Sequence, residues 1–120
     1  MVKATVISEA FKLRQRLIDN KHFLKEIEKS KTKARVEKLL KSASAPELDI
    51  LREIIKNIAA KNIHISKSIL NSKKKFDSVV TLIASFQRKS TINKSQGSLK
   101  KFLVKFSHIL PIVAKTVISQ

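Results

Sequence analysis

Along this chain the apolar side chains recur at intervals of three and four rather than two, and one Gly and two Pro leave little turn chemistry for hairpins. The pattern predicts an all-α protein. Its sharpest signal starts at Ser44-Ala45-Pro46-Glu47: Ser44 is placed to cap, Glu47 follows three residues later as in a capping box, and Pro46 suits a first turn. Behind it Leu48, Leu51, Ile55 and Ile58 form one stripe, widened by Ile54 and Ala59, and the helix is expected to stop near Lys61-Asn62.

Weaker stripes flank this core helix. Phe23, Leu24 and Ile27 suggest one short helix and Val36, Leu39 and Leu40 another, parted by the turn Lys29-Ser30-Lys31-Thr32-Lys33. An amphipathic piece through Ile7, Ala10 or Phe11, Leu13 or Arg14, and Leu17 precedes them. A second long helix is expected to begin after Ser66, carrying Ile69, Phe76, Val79, Val80 and Ile83 inward with Lys73, Lys74 and Lys75 mostly outward. The stretch from Arg88-Lys89-Ser90 to Gln96-Gly97 reads as a polar, basic linker ending in the only glycine, with Ser98 as a cap for the final segment.

That final segment, Leu99 to Ile118, aligns Phe102, Leu103, Phe106, Ile109, Leu110 and Val113 on one apolar face, with Lys100, Lys101 and Lys105 crowding its first turns. Pro111 is expected to kink or break it, because proline removes a helix hydrogen bond and clashes with the preceding turn. Three uses of the face are open: a last helix docked on the bundle, an interfacial helix on an anionic membrane, or an anchor in a groove of a partner protein. The expected architecture is therefore a compact bundle of about five short helices over residues 1–88, a basic linker over 89–98, and an amphipathic C-terminal segment over 99–120 broken near Pro111.

Composition narrows the class. At 120 residues and 42% hydrophobic the chain can bury a core, unlike a disordered basic tail. Cysteine is absent, which removes disulfides and thiolate metal sites and suits a reducing compartment or a particle interior. The first ten residues lack the apolar run of a secretory signal, and no window reaches the roughly 18 apolar residues of a spanning helix. A protein that is soluble, or peripheral at most, is expected.

Charge changes the picture most. Met1 to Glu53 carry 13 basic and 8 acidic side chains, a balance of +5, whereas Ile54 to Gln120 carry 13 basic and one acid, Asp77, a balance of +12. Few of the later lysines can be neutralised within their own segment, so the second half presents a positive surface that calls for an anionic partner. The candidate contacts are Lys67, Lys73, Lys74, Lys75, Arg88, Lys89, Lys94, Lys100, Lys101 and Lys105. Lysine dominates, whereas bidentate reading of guanine favours arginine, so phosphate neutralisation on duplex DNA without base readout is the expected mode. Trp and Tyr are absent and the six Phe fall mainly on apolar stripes, which gives little support to stacking on single strands.

Catalysis finds no foothold. His22, His64 and His108 fall on three separate predicted elements without a metal-binding spacing. Glu26 and Glu28 stand two apart and so on different helix faces, and Glu37, Glu47, Asp49 and Glu53 read as helix-start charges or partners of lysine. A single glycine excludes a Gly-rich phosphate loop, and no serine sits in a nucleophile elbow. A non-enzymatic protein without cofactor or metal is expected.

The order Ala43-Ser44-Ala45-Pro46-Glu47-Leu48, Asn57-Ile58, Asn62-Ile63-His64-Ile65-Ser66, a lysine-studded helix into Leu82-Ile83-Ala84-Ser85, then Phe102-Leu103 and Ile109-Leu110-Pro111, resembles the small basic proteins of Maverick/Polinton transposons and adintoviruses. The resemblance spans roughly Phe23 to Ile118 and rests on spacing and residue type. The chain departs from that family at Phe106 to Pro111, which lacks the family's glycine pair, and its basic helix is less dense in lysine. Such elements encode capsid proteins, a protease, an integrase and a protein-primed polymerase. The resemblance implies a small basic companion protein located with the DNA in the virion interior or host nucleus, while the expected role, packaging or condensation, comes from the charge. Its alternative partners are capsid protein or an anionic membrane, met through the C-terminal segment, and a helical protein-interaction module is a third reading.

Overall fold

The computed structural model describes residues 13–88 and 96–118, and among these the regular structure is entirely helical. Seven segments follow in order: α1 (13–19), α2 (Lys21–Lys29), α3 (Lys33–Lys41), α4 (Ala45–Ala59), α5 (Lys73–Arg88), α6 (Gln96–Lys105) and α7 (Leu110–Ile118). Of the expected N-terminal amphipathic piece, Leu13, Arg14 and Leu17 fall in α1, while Ile7, Ala10 and Phe11 lie outside the described residues.

Local chemistry sets most boundaries. Thr32 caps α3 by accepting a hydrogen bond from the Arg35 amide at 3.2 Å. At α4 both halves of a capping box are made: the Glu47 amide donates to Ser44 Oγ at 3.4 Å, and the Ser44 amide donates to Glu47 Oε1 at 2.8 Å. Pro46 occupies the first turn, where no partner for its missing N–H is needed.

The other end of α4 closes in a Schellman motif. Lys61 adopts φ 64°, its amide donates to the Ile58 carbonyl at 3.0 Å, and the Asn62 amide reaches back to the Asn57 carbonyl at 2.8 Å. The Asn62 side chain adds a 3.1 Å bond to Asn57 Oδ1, and Asn57 in turn donates to the Glu53 carbonyl at 2.7 Å. The helix thus stops where the sequence predicts, although lysine rather than glycine takes the left-handed position.

After this turn Ile63 and Ile65 bury their side chains and pin the connection to the core. The expected start of the next helix after Ser66 is corrected. Residues 67–69 form only a turn, with the Ile69 and Leu70 amides both bonded to the Ser66 carbonyl at 3.1 Å. The helix begins at Lys73, because Ser72 supplies the cap by accepting from the Lys75 amide at 3.2 Å.

The inward face of α5 also differs from expectation. Val79 and Leu82 are buried, Ile69, Ile83 and Phe86 are partly buried, and Phe76 and Val80 point to solvent. The helix packs through a narrow stripe, so Phe76 and Val80 on its flank stay outside the core.

The core centres on α4, whose Ile50, Leu51, Ile54 and Ile55 are all fully buried because α5, α6 and α7 each pack against it. Helix α2 lies along α7, and α3 packs on α6. A helix so surrounded buries more than a single stripe, which is why Ile50 joins the expected Leu48, Leu51, Ile54, Ile55 and Ile58 while Ala59 stays half-buried.

The C-terminal segment supplies about a third of that core. Phe102, Leu103, Phe106, Ile109, Leu110 and Val113, expected as a face for membrane or partner, are all buried against the other helices. One cluster of buried side chains runs through the earlier helices and this segment. Of the expected linker, residues 89–95 lie outside the described residues, and Gln96, Gly97 and Ser98 already belong to the first turn of α6.

The chain does break in this region, but not at Pro111. Helix α6 ends at Lys105, and residues 106–109 turn through three-residue hydrogen bonds: Phe106 to Leu103, Ser107 to Val104 and Ile109 to Phe106. Ser107 Oγ donates to the Val104 carbonyl at 2.6 Å, which satisfies the one polar side chain buried in this turn. Pro111 then sits in the first turn of α7, where its locked φ favours the helix.

Candidate nucleic-acid interface

Helix α5 begins with three consecutive lysines, Lys73, Lys74 and Lys75, all exposed, and no acid stands in its first turn. The free amides and dipole of a helix start add positive potential to those ammonium groups. Asp77 follows on the next turn and is exposed. It is the sole acid after Glu53 in the sequence, so the local balance remains strongly positive.

Helices α5 and α6 meet through an aromatic contact. The rings of Phe86 and Phe102 lie 5.9 Å apart, and Phe102 stacks in turn on Phe106 at 5.0 Å. Between α5 and the α6–α7 turn lies an open groove of about 490 Å³. Lys73, Lys74, Asp77, Ser78 and Thr81 form one wall, with Phe106 and His108 of the α6–α7 turn opposite.

Lys73 and Lys74 face His108 across this groove. On α6, Lys101 and Lys105 are both exposed four residues apart, hence on one helix face and about 6 Å apart along the axis.

Not every expected contact lies at the groove. Lys67 is exposed in the turn before α5, and Arg88 ends α5 about 22 Å from Lys73. Lys100 points elsewhere and donates to the Lys41 carbonyl at 3.1 Å. Lys89 and Lys94 lie outside the described residues. Conversely, His108, Ser78 and Thr81 line the groove without any signal in the sequence, since their juxtaposition arises only when the turn after α6 meets α5.

The other half of the molecule is electrostatically quieter. Ion pairs join Arg35 to Glu26 at 3.3 Å, Arg52 to Asp49 at 3.5 Å, Lys33 to Glu37 at 3.9 Å and Arg16 to Glu53 at 3.9 Å. All of these precede residue 54, so internal neutralisation falls where the acids are. A second depression, at the α2–α3 turn, mixes Lys29, Lys31 and Arg35 with Glu26 and so lacks a single sign.

Among the described residues no three of His, Cys, Asp and Glu come together as a metal site, with His22 on α2, His64 in the connection after α4 and His108 in the groove. No helix among them is long and apolar enough to cross a membrane. No protein-family model matches the chain, and no curated protein or solved structure is similar to it.

Proposed function

We propose that this chain is a non-enzymatic basic protein that binds duplex DNA through its phosphates, without sequence specificity, and so packages or condenses it. The observation that supports this reading most is the exposed run Lys73, Lys74 and Lys75 at the start of α5, with Lys73 and Lys74 on the wall of an open groove whose lining holds one acid, Asp77. Spaced ammonium groups on a convex helical surface suit a phosphate backbone, and the scarcity of arginine there argues against base reading. The motif resemblance adds the setting of a virus-like element, with the protein in the virion interior or host nucleus beside its DNA.

Burial of its six apolar residues in the core favours this reading over a membrane or capsid role for the C-terminal segment. The test is binding to labelled duplex DNA across a salt series with a scrambled duplex and heparin as competitors. About five phosphate contacts would give a slope of log affinity on log salt near −4.5, indifferent to sequence. A flat salt dependence, or binding confined to one duplex sequence, overturns the proposal.

A further inference from the structure

We infer that Phe76 is an apolar wedge that kinks the duplex held by the neighbouring lysines, an inference that rests on the phosphate-binding reading above. Phe23, Phe102 and Phe106 are buried and Phe86 is half-buried, whereas Phe76 is 55% exposed and Val80, one turn further along, 49%. Both stand on the flank of the buried stripe of Val79 and Leu82, about 60–100° around α5 from Val79, and Val80 is level with that buried neighbour.

Single exposed apolar residues are ordinary on protein surfaces. The surroundings of this pair are not. At 3.6 residues per turn Lys73 lies between Phe76 on one flank of α5 and the groove wall of Asp77 and Thr81 on the other. A phosphate bound at Lys73 therefore brings a duplex edge onto Phe76 and Val80. Apolar side chains presented this way enter between base steps, unstack them and bend the helix axis, which a condensing protein can use to wrap DNA on itself. Charge complementarity selects this occupant over a second copy of the chain, since each copy carries +17.

The experiment uses a duplex of about 30 base pairs labelled at both ends, intact or with one central mismatch, and reads affinity and end-to-end distance by energy transfer. The full-length protein is compared with Phe76→Ala, Phe76→Leu and the triple variant Lys73→Glu, Lys74→Glu, Lys75→Glu. The exposure of Phe76 makes its variants safe for folding. The expected result is a bend of at least about 20° and about tenfold tighter binding to the mismatched duplex, because the mismatch lowers the cost of unstacking. Phe76→Ala should lose the bend and the mismatch preference while intact-duplex affinity falls less than about threefold, the phosphate contacts being untouched. Phe76→Leu should retain most of both, since a wedge needs bulk rather than a ring.

An unbent duplex with the original protein, or an undiminished bend with Phe76→Ala, overturns the wedge. Loss of the bend in Phe76→Leu as complete as in Phe76→Ala also overturns it, in favour of ring stacking on unpaired bases. So does a Phe76→Ala variant that bends DNA normally but no longer binds phosphatidylserine vesicles, which assigns the residue to lipid. Failure of the wedge alone leaves affinity sensitive to the triple Glu change, whereas indifference to that change overturns the phosphate reading itself.

Discussion

The Lys100 ammonium donates to the backbone carbonyl of Lys41 at 3.1 Å, joining α6 to the C-terminal end of α3 across 59 positions of sequence. A cation is favourable there, because the last carbonyls of a helix lack partners and carry the negative end of its dipole. Lys38 and Lys41, both exposed, already concentrate positive charge at that end. Lys100 is thus a structural lysine within a run that reads in sequence as wholly available to an anion.

Lys100→Met keeps the apolar stem and removes the donor. It is expected to cost about 0.5–1.5 kcal/mol of stability, measured by denaturant unfolding, and to change duplex affinity less than Lys101→Met or Lys105→Met. A larger loss of DNA binding from Lys100→Met than from either neighbour would place the contact surface on the α3 side instead.

Reversing Lys73, Lys74 and Lys75 to Glu together should lower duplex affinity by more than about a hundredfold at low salt and flatten the salt slope by about three. The fold should tolerate the change, since acidic groups in a first turn favour the helix dipole and all three side chains are exposed. Circular dichroism with an unchanged unfolding midpoint, beside lost DNA binding, is the expected pair of results.

Lys61 holds the left-handed position of the α4 stop with φ 64°. Glycine adopts that conformation without the clash between Cβ and carbonyl, so Lys61→Gly is expected to stabilise the protein by about 0.5–1 kcal/mol. A rise in the unfolding midpoint checks it. A fall would mean that the Asn57–Asn62 bonds, rather than the backbone angle, set the geometry.

Leu103 is fully buried in the core cluster shared with α4. Leu103→Ala should destabilise by about 2–5 kcal/mol, through lost burial and the cavity left behind. Deleting Phe102 to Gln120 is expected to do more, uncovering Phe23, Leu24 and Ile27 of α2 and abolishing cooperative unfolding. A truncated protein that unfolds cooperatively and still binds DNA would restore the view of a self-sufficient bundle carrying a tail.

Local chemistry is legible in the residue order itself. The Ser44 and Glu47 capping box, the first-turn Pro46 and the end of α4 near Lys61-Asn62 depend on side chains reaching their own nearby backbone, so a few consecutive residues suffice to specify them. The polycationic second half is equally plain, because net charge does not depend on folding. Which side chains meet is another matter. An apolar face through Phe102, Leu103, Phe106, Ile109, Leu110 and Val113 reads the same whether lipid or protein covers it; packing with α2, α3 and α4 decided for protein. Only the meeting of α5 with the turn after α6 sets His108 opposite Lys73 and Lys74. The narrow packing of α5 turned Phe76 outward, since periodicity defines a helical stripe but not how much of it a neighbouring helix covers.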